Sequence, residues 1–339
     1  MTTLIAAPAP PRPAEHAVPW RPMARVTWLQ RRGLLIGLSS LLVAAGLAIV
    51  VEHLVTHASR ASLLANGGVD TNAFQALVIA LNVLPVVIGV FVGAPLLSRE
   101  LESGTFRFTW TQEIGRTRFV LTTVALLGVF TAAAACALGL ILGWYAHPFE
   151  VIGVESQWQP GLFDVTAVTL GAWTLFALAL GTFLGAVIGR TVTAMAATAV
   201  GVGGFVVVSF VFLVHRLLAV SPLVTSGVSP SGMGLGMLNV PGAVGTRPFG
   251  GWLVRSWLTG RGGGELSAPV ANHALNRIEY GAKGSQDLTR LLALHHLTFW
   301  VSYQPADRLW IFQALEGALL IVLAAGLVLG TLCVVRRRA

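Results

Sequence analysis

The sequence predicts an all-α polytopic membrane protein with six transmembrane helices, and three observations carry that expectation. Of its 339 residues, 55% are hydrophobic and only 11% charged, against about 25% charged in an average soluble domain. The mean hydropathy is +0.76. The apolar residues also gather into long blocks: 33–51, 71–98, 119–149, 165–189 and 191–215 contain no Asp, Glu, Lys or Arg, and 309–335 contains one carboxylate, Glu316. A helix needs about 20 apolar residues to cross the hydrocarbon core, so each block supplies one span. The blocks are continuously apolar and not alternating, which excludes barrel strands. A net charge of +8 could suit nucleic acid, but blocks of this kind exclude a nucleic-acid binder and a soluble enzyme alike. Cys136 and Cys333 both lie inside apolar blocks and offer no disulfide framework or zinc cluster.

Taken in order, residues 1–22 form a Pro-rich arm, with Pro8, Pro10, Pro11, Pro13, Pro19 and Pro22, and read as disordered. No small-residue cleavage pattern follows the first block, so it is expected to be a span and not a cleaved signal. Residues 23–219 hold spans one to five. Within them, 23–32 suits a short interfacial helix with Trp28 at the headgroup level, and 99–118 is the densest charged connection. Residues 220–308 form a large segment between spans five and six, and 309–339 form the sixth span and a basic tail.

Orientation follows from the basic residues of the short flanks. The arm carries Arg12, Arg21, Arg25, Arg31 and Arg32. The connection between spans two and three carries Arg99, Arg107, Arg116 and Arg118, and Arg190 lies between spans four and five. The tail carries Arg336, Arg337 and Arg338, while the opposite short loops carry only Arg60. Both termini are therefore expected in the cytoplasm, with 220–308 extracellular. In that segment, 221–264 is rich in Gly, Pro and Ser and reads as loop. Residues 287–301 read as an amphipathic helix at the interface, burying Leu291, Leu292, Leu294 and Phe299 and capping the spans. Small residues recur four apart at Ala177, Gly181, Gly185 and Gly189, at Gly139 and Gly143, and at Gly326 and Gly330. Such spacing lets helix backbones approach closely, within one subunit or across a dimer seam.

Sites of chemistry are scarce. The single lysine, Lys283, sits in Gly281-Ala-Lys-Gly-Ser, so no Gly-Lys-Ser/Thr P-loop occurs in these residues. There is no Gly-x-Ser-x-Gly elbow and no His-Glu-x-x-His helix. His53 and His57 stand at i, i+4 near Glu52, a geometry open to metal but equally that of polar residues at a headgroup interface. His295 and His296 are adjacent and point to different helix faces. No metal site is assigned. Glu316, with Gln313 three residues earlier on the same face, differs in kind. An ionisable group inside a span costs several kcal/mol unless paired or wetted, so it marks either a hydrogen bond to a neighbouring helix or a translocation path.

Residues 99–118 combine charges with Phe106, Phe108 and Trp110. They alternate as a strand would over 105–111, yet an isolated strand has no partner for its backbone. As a helix the aromatics suit a place between membrane and partner protein. Here the sequence resembles permease subunits of ABC transporters of the type-2 exporter class, especially actinobacterial members. The likeness rests on Val26-Thr-Trp-Leu-Gln-Arg-Arg, on Gly93-Ala-Pro-Leu-Leu-Ser-Arg-Glu-Leu-Glu-Ser-Gly-Thr-Phe-Arg-Phe-Thr-Trp-Thr-Gln with Arg116-Thr-Arg, and on Tyr303-Gln-Pro-Ala-Asp-Arg-Leu-Trp-Ile-Phe-Gln-Ala-Leu-Glu.

The resemblance implies the membrane subunit of an ATP-driven exporter in a bacterial plasma membrane. It pairs with an ABC ATPase subunit and a second permease copy or paralogue. It is not itself an enzyme: ATP and Mg are bound by the partner, and the chain needs no cofactor. The coupling helix seated on the ATPase would fall at Glu100, Glu102, Gly104, Thr105, Phe106, Arg107 and Trp110, and Gln313 and Glu316 would lie on the path. The alternative, an ion-coupled secondary transporter or other polytopic membrane protein, calls for several buried charges and paired broken helices. Asn82 and Pro85 in the second span could break one helix, and no counterpart occurs in spans four to six.

Overall fold

The computed structural model describes residues 20–65, 72–104, 116–151, 161–209, 224–228, 245–246, 252–267, 269–271, 273–274, 292 and 294–337. Among these are six helices long and apolar enough to cross a membrane. Helix α1 (Trp20–Ala65) is a single element. The separate interfacial helix expected at 23–32 is its opening stretch, since Pro22 falls in the first turn, where a helix tolerates proline. Most of the Pro-rich arm lies outside the described residues.

The span of α1 buries Leu35, Leu38, Leu42 and Ile49 and exposes Ile36, Val43, Leu47 and Val51 between them. Both faces are apolar, as suits protein on one side and lipid on the other. The second span is continuous from Asn72 to Glu102. It consists of α2 (Asn72–Ile88), a π turn (Gly89–Gly93) and α3 (Ala94–Glu102). Pro85 lies inside α2 and withholds one N–H from the ladder, and the wider turn follows directly. Gly104, at φ +69°, takes the left-handed conformation that ends α3.

Helices α4 (Arg116–Val151), α5 (Ala167–Ile188), α6 (Thr191–Val208) and α7 (Leu309–Arg337) complete the bundle. The core sits around α5, which packs against α2, the π turn, α3, α4, α6 and α7. Close approach explains why. A Cβ on Gly93 would lie 2.7 Å from the Leu178 carbonyl oxygen, and one on Gly181 would collide with the backbone of Gly89. The stripe Ala177, Gly181, Gly185 is thus a seam within one chain, against the π turn and α3. Gly139 likewise meets the start of α5, whereas Gly143 and Gly326 face open space. Gly189, at φ +69°, ends α5.

The segment between α6 and α7 contains a four-stranded antiparallel sheet, ordered β1-β4-β3-β2. Its strands are β1 (Val224–Val228), β2 (Gly245–Thr246), β3 (Trp252–Thr259) and β4 (Thr298–Gln304). This corrects two expectations. The 221–264 region is not loop throughout, and the helix expected at 287–301 gives way to strand from Thr298. The sequence Thr-Phe-Trp-Val-Ser-Tyr is β-branched and aromatic, which favours a pleated, half-buried strand. Leu292 is buried as expected, but Leu294 is exposed. Trp257 and Trp300, directly paired across β3 and β4, stack at 6.4 Å. Arg255 lies over the Trp257 ring and pairs with Glu265 through two 2.7 Å contacts.

Candidate functional site

Two polar clusters stand at opposite ends of the bundle. The first is built on the turn that precedes α5. Thr166 and Thr169 hydroxyls lie 2.7 Å apart, and both donate to the Phe163 carbonyl. Gly161, at φ +92°, opens this turn, and its carbonyl accepts a 2.9 Å bond from Asn82 Nδ2. The other Asn82 proton goes to the Val78 carbonyl at 2.8 Å. Two carbonyl acceptors fix the orientation of the amide, so Oδ1 remains as an acceptor.

Asp164 sits in the same turn, partly buried. Its apolar surroundings push its carboxyl up to about 6, because desolvation disfavours the charged form. It lines a recess of about 50 Å³ together with Asn82, Pro85, Leu170, Trp173 and Val202. Asn82, Val86 and Val206 also line an adjoining groove of about 610 Å³ between α2 and α6, walled by Phe74, Val78 and Ile79.

Nearly two turns into α5, Trp173 is buried and donates from Nε1 to Glu316 Oε1 at 3.0 Å. Its ring is held edge-on by Phe176 and Phe205 at 6.1 and 5.6 Å. Glu316 is 6% exposed, so it faces the bundle and not lipid. The structural hydrogen bond that a lone carboxylate in a span called for therefore exists. It satisfies one oxygen only: Glu316 Oε2 and Gln313 Nε2 are buried without a partner among the described residues. Asp164 acts on Glu316 electrostatically. The sequence pointed to Glu316 and Gln313 but not to Asp164, Trp173 or Asn82, and no motif marks these three.

The second cluster closes the other end. Glu102 Oε2 accepts the Thr191 backbone N–H at 2.9 Å, which satisfies one of the free donors at the start of α6 and places a negative charge at a helix N-terminus. Ser98 Oγ bonds Ala94 O at 2.8 Å and Thr191 Oγ1 at 3.3 Å. Of the residues expected to couple to a partner, Glu100, Glu102 and Gly104 stand at the end of α3. Thr105, Phe106, Arg107 and Trp110 lie outside the described residues.

The histidines fall elsewhere. His53 is buried against Trp144 and Tyr145, at ring distances of 3.8 and 5.5 Å, and the His57 side chain lies outside the described residues. His296 Nε2 is 2.7 Å from Arg261 Nη2, and His295 is exposed. Among the described residues no group of three His, Cys, Asp or Glu side chains is placed to hold a metal.

A comparison with curated proteins finds no match to the chain. Residues 65–215, which include the four spans from α2 to α6, match the family model described as ABC-2 membrane transporter related. The seam of small residues, the Glu102–Thr191 contact and the Asn82 turn all fall inside that stretch. Residues 65–215 thus carry an ABC-2-type membrane transporter domain, set within a multi-pass membrane protein.

Proposed function

We propose that this permease is the transmembrane subunit of an ATP-driven exporter in a bacterial plasma membrane, with both termini cytoplasmic and the sheet-bearing segment outside. The observation that carries the reading is the family match over 65–215 in a sequence whose one lysine lies outside any Gly-Lys-Ser/Thr motif. The energy then comes from a separate ABC ATPase that binds ATP and Mg, working with two permease copies or a permease and its paralogue. Coupling is assigned to Glu100, Glu102, Gly104, Thr105, Phe106, Arg107 and Trp110. The bonds from Glu102 and Ser98 to Thr191 support this, because a push on α3 reaches α6 as well. Phe106 and Trp110 are the anchors, since buried aromatics dominate interface energy. Gln313 and Glu316 are assigned to the translocation path. Their unpartnered buried atoms support a role beyond packing.

The test is affinity purification of the full chain from its native host. A Walker-containing ATPase should co-purify, and the Phe106→Ala, Trp110→Ala double variant should lose it while inserting normally in the membrane. Purification without any ATPase would defeat the exporter assignment. Full association and transport in the double variant would show that coupling runs elsewhere.

A further inference from the structure

The groove between α2 and α6 is apolar along its length and acidic at its end. Phe74, Val78, Ile79, Val83 and Val206 supply the wall, and among the described residues the only polar side chains along it are Gln75 and Asn82. At the end the recess adds Asp164 and the Trp173 ring. Among the described residues no Arg, Lys or His lines either cavity, so a phosphate or carboxylate headgroup would find no counter-charge among them. The opposite charge finds four favourable features. Asp164 has no hydrogen-bond partner among the described residues, and Asn82 Oδ1 is left over once both amide protons are committed. Trp173 offers an aromatic wall, which attracts cations. Glu316, bonded to the Trp173 indole and half satisfied, places a second carboxyl within electrostatic reach of Asp164.

Size narrows the class. A water needs ~10–15 Å³ of cavity space, so a recess of about 50 Å³ takes a primary ammonium. A trimethylammonium group is several times larger and has no N–H to give Asp164 or Asn82 Oδ1. We propose that the groove binds a lipophilic primary amine, its hydrocarbon chain along α2 and α6 and its ammonium in the recess between Asp164 and Asn82 Oδ1. Reading this amine as cargo rests on the exporter assignment above, whereas its binding rests on the groove alone. Each ammonium proton then has an acceptor to meet, which is the condition for burying a charge.

The experiment uses the full chain in phosphatidylcholine nanodiscs, without ATPase, and radiolabelled dodecylamine as probe, with empty nanodiscs as the baseline. Saturable binding is expected, displaced by unlabelled dodecylamine and not by dodecanol, dodecanoate or dodecyltrimethylammonium at the same concentration. Asp164→Asn should weaken it at least tenfold. Val83→Trp, at a wall residue of the groove that does not line the acidic recess, should weaken it as much, so the outcome does not hang on one variant's folding. Equal displacement by dodecanol, or unchanged binding in both variants, would overturn the proposal. So would disulfide formation between two copies of an Ile79→Cys chain with amine binding lost, because the groove would then be a seam between permeases. Binding without a co-purifying ATPase would leave the site standing and remove the exporter. An ATPase that co-purifies with a chain that binds no amine would do the reverse.

Discussion

Helices α5 and α6 are successive spans separated by two residues, nearly equal in mean hydropathy, and they live in different surroundings. Over an 18-residue apolar stretch of each, 67% is buried inside the protein in α5, against 17% in α6. Hydropathy cannot separate them, because lipid tails and a protein core are equally apolar. The difference lies in shape. The face of α5 toward α2 and α3 is Ala177, Gly181 and Gly185, flat enough for backbones to touch. On α6, Gly203 and Gly204 meet nothing within 4 Å, while Val192, Val200 and Val207 point outward. A small residue inside a span reads as a seam only where a neighbour lies against it.

The comparison breaks most sharply by giving each helix a side chain. Gly181→Val must displace the Gly89 backbone, where no flexible side chain can yield. It should cost more than about 3 kcal/mol, at or beyond the upper end of ordinary overpacking, read as loss of a monodisperse peak in detergent. Gly204→Val should leave thermal unfolding within about 0.5 kcal/mol of wild type. Equal effects would mean that burial does not distinguish the two helices.

A smaller effect sharpens the polar side of α5. Trp173→Phe keeps the ring packing but leaves Glu316 with no donor among the described residues, and should cost about 1–3 kcal/mol. The same change in a Glu316→Leu background should cost clearly less, because the interaction it removes is already gone. Undiminished loss in that background would show that the indole matters for packing alone.

The smallest expected effect concerns how α6, with so little burial, holds its start. Glu102→Ala removes an acceptor from the Thr191 N–H at an exposed position and should cost about 0.5–1 kcal/mol, in the range of a lost helix cap. Amide hydrogen exchange at 191–194 should quicken while that of α5 stays unchanged. No change at either place would mean that the contact is idle.

The positions of the spans were legible because charge-free blocks leave a helix no other solvent. Glu316 was legible because a carboxylate within such a block is conspicuous. Its partner was not: Trp173 resembles any aromatic in an apolar run, and only the crossing of α5 and α7 brings the indole to the acid. Asp164 escaped notice because it directly precedes the fourth block and reads as a loop residue, although the turn folds it back against α2. Asn82 drew attention as a helix breaker, whereas its amide ties α2 to Gly161. The sheet was missed for a different reason. Thr298–Tyr303 carries a strand signal, but the apolar run just before it fits a helix period equally well, and only pairing with β1 and β3 decides between them.

The glycine seam has a mechanical consequence. Where carbonyl oxygens and Cα atoms of two helices are already in contact, sliding one past the other would lift backbone over backbone. Rigid packing of this kind resists continuous deformation. The second span and α5 therefore travel as a single beam, and any change in access must be made by elements that do not share the seam. Of the walls around the groove, α6 stands outside the seam: Glu102 meets its first N–H, and higher up Phe205 rests on the Trp173 and Phe176 rings.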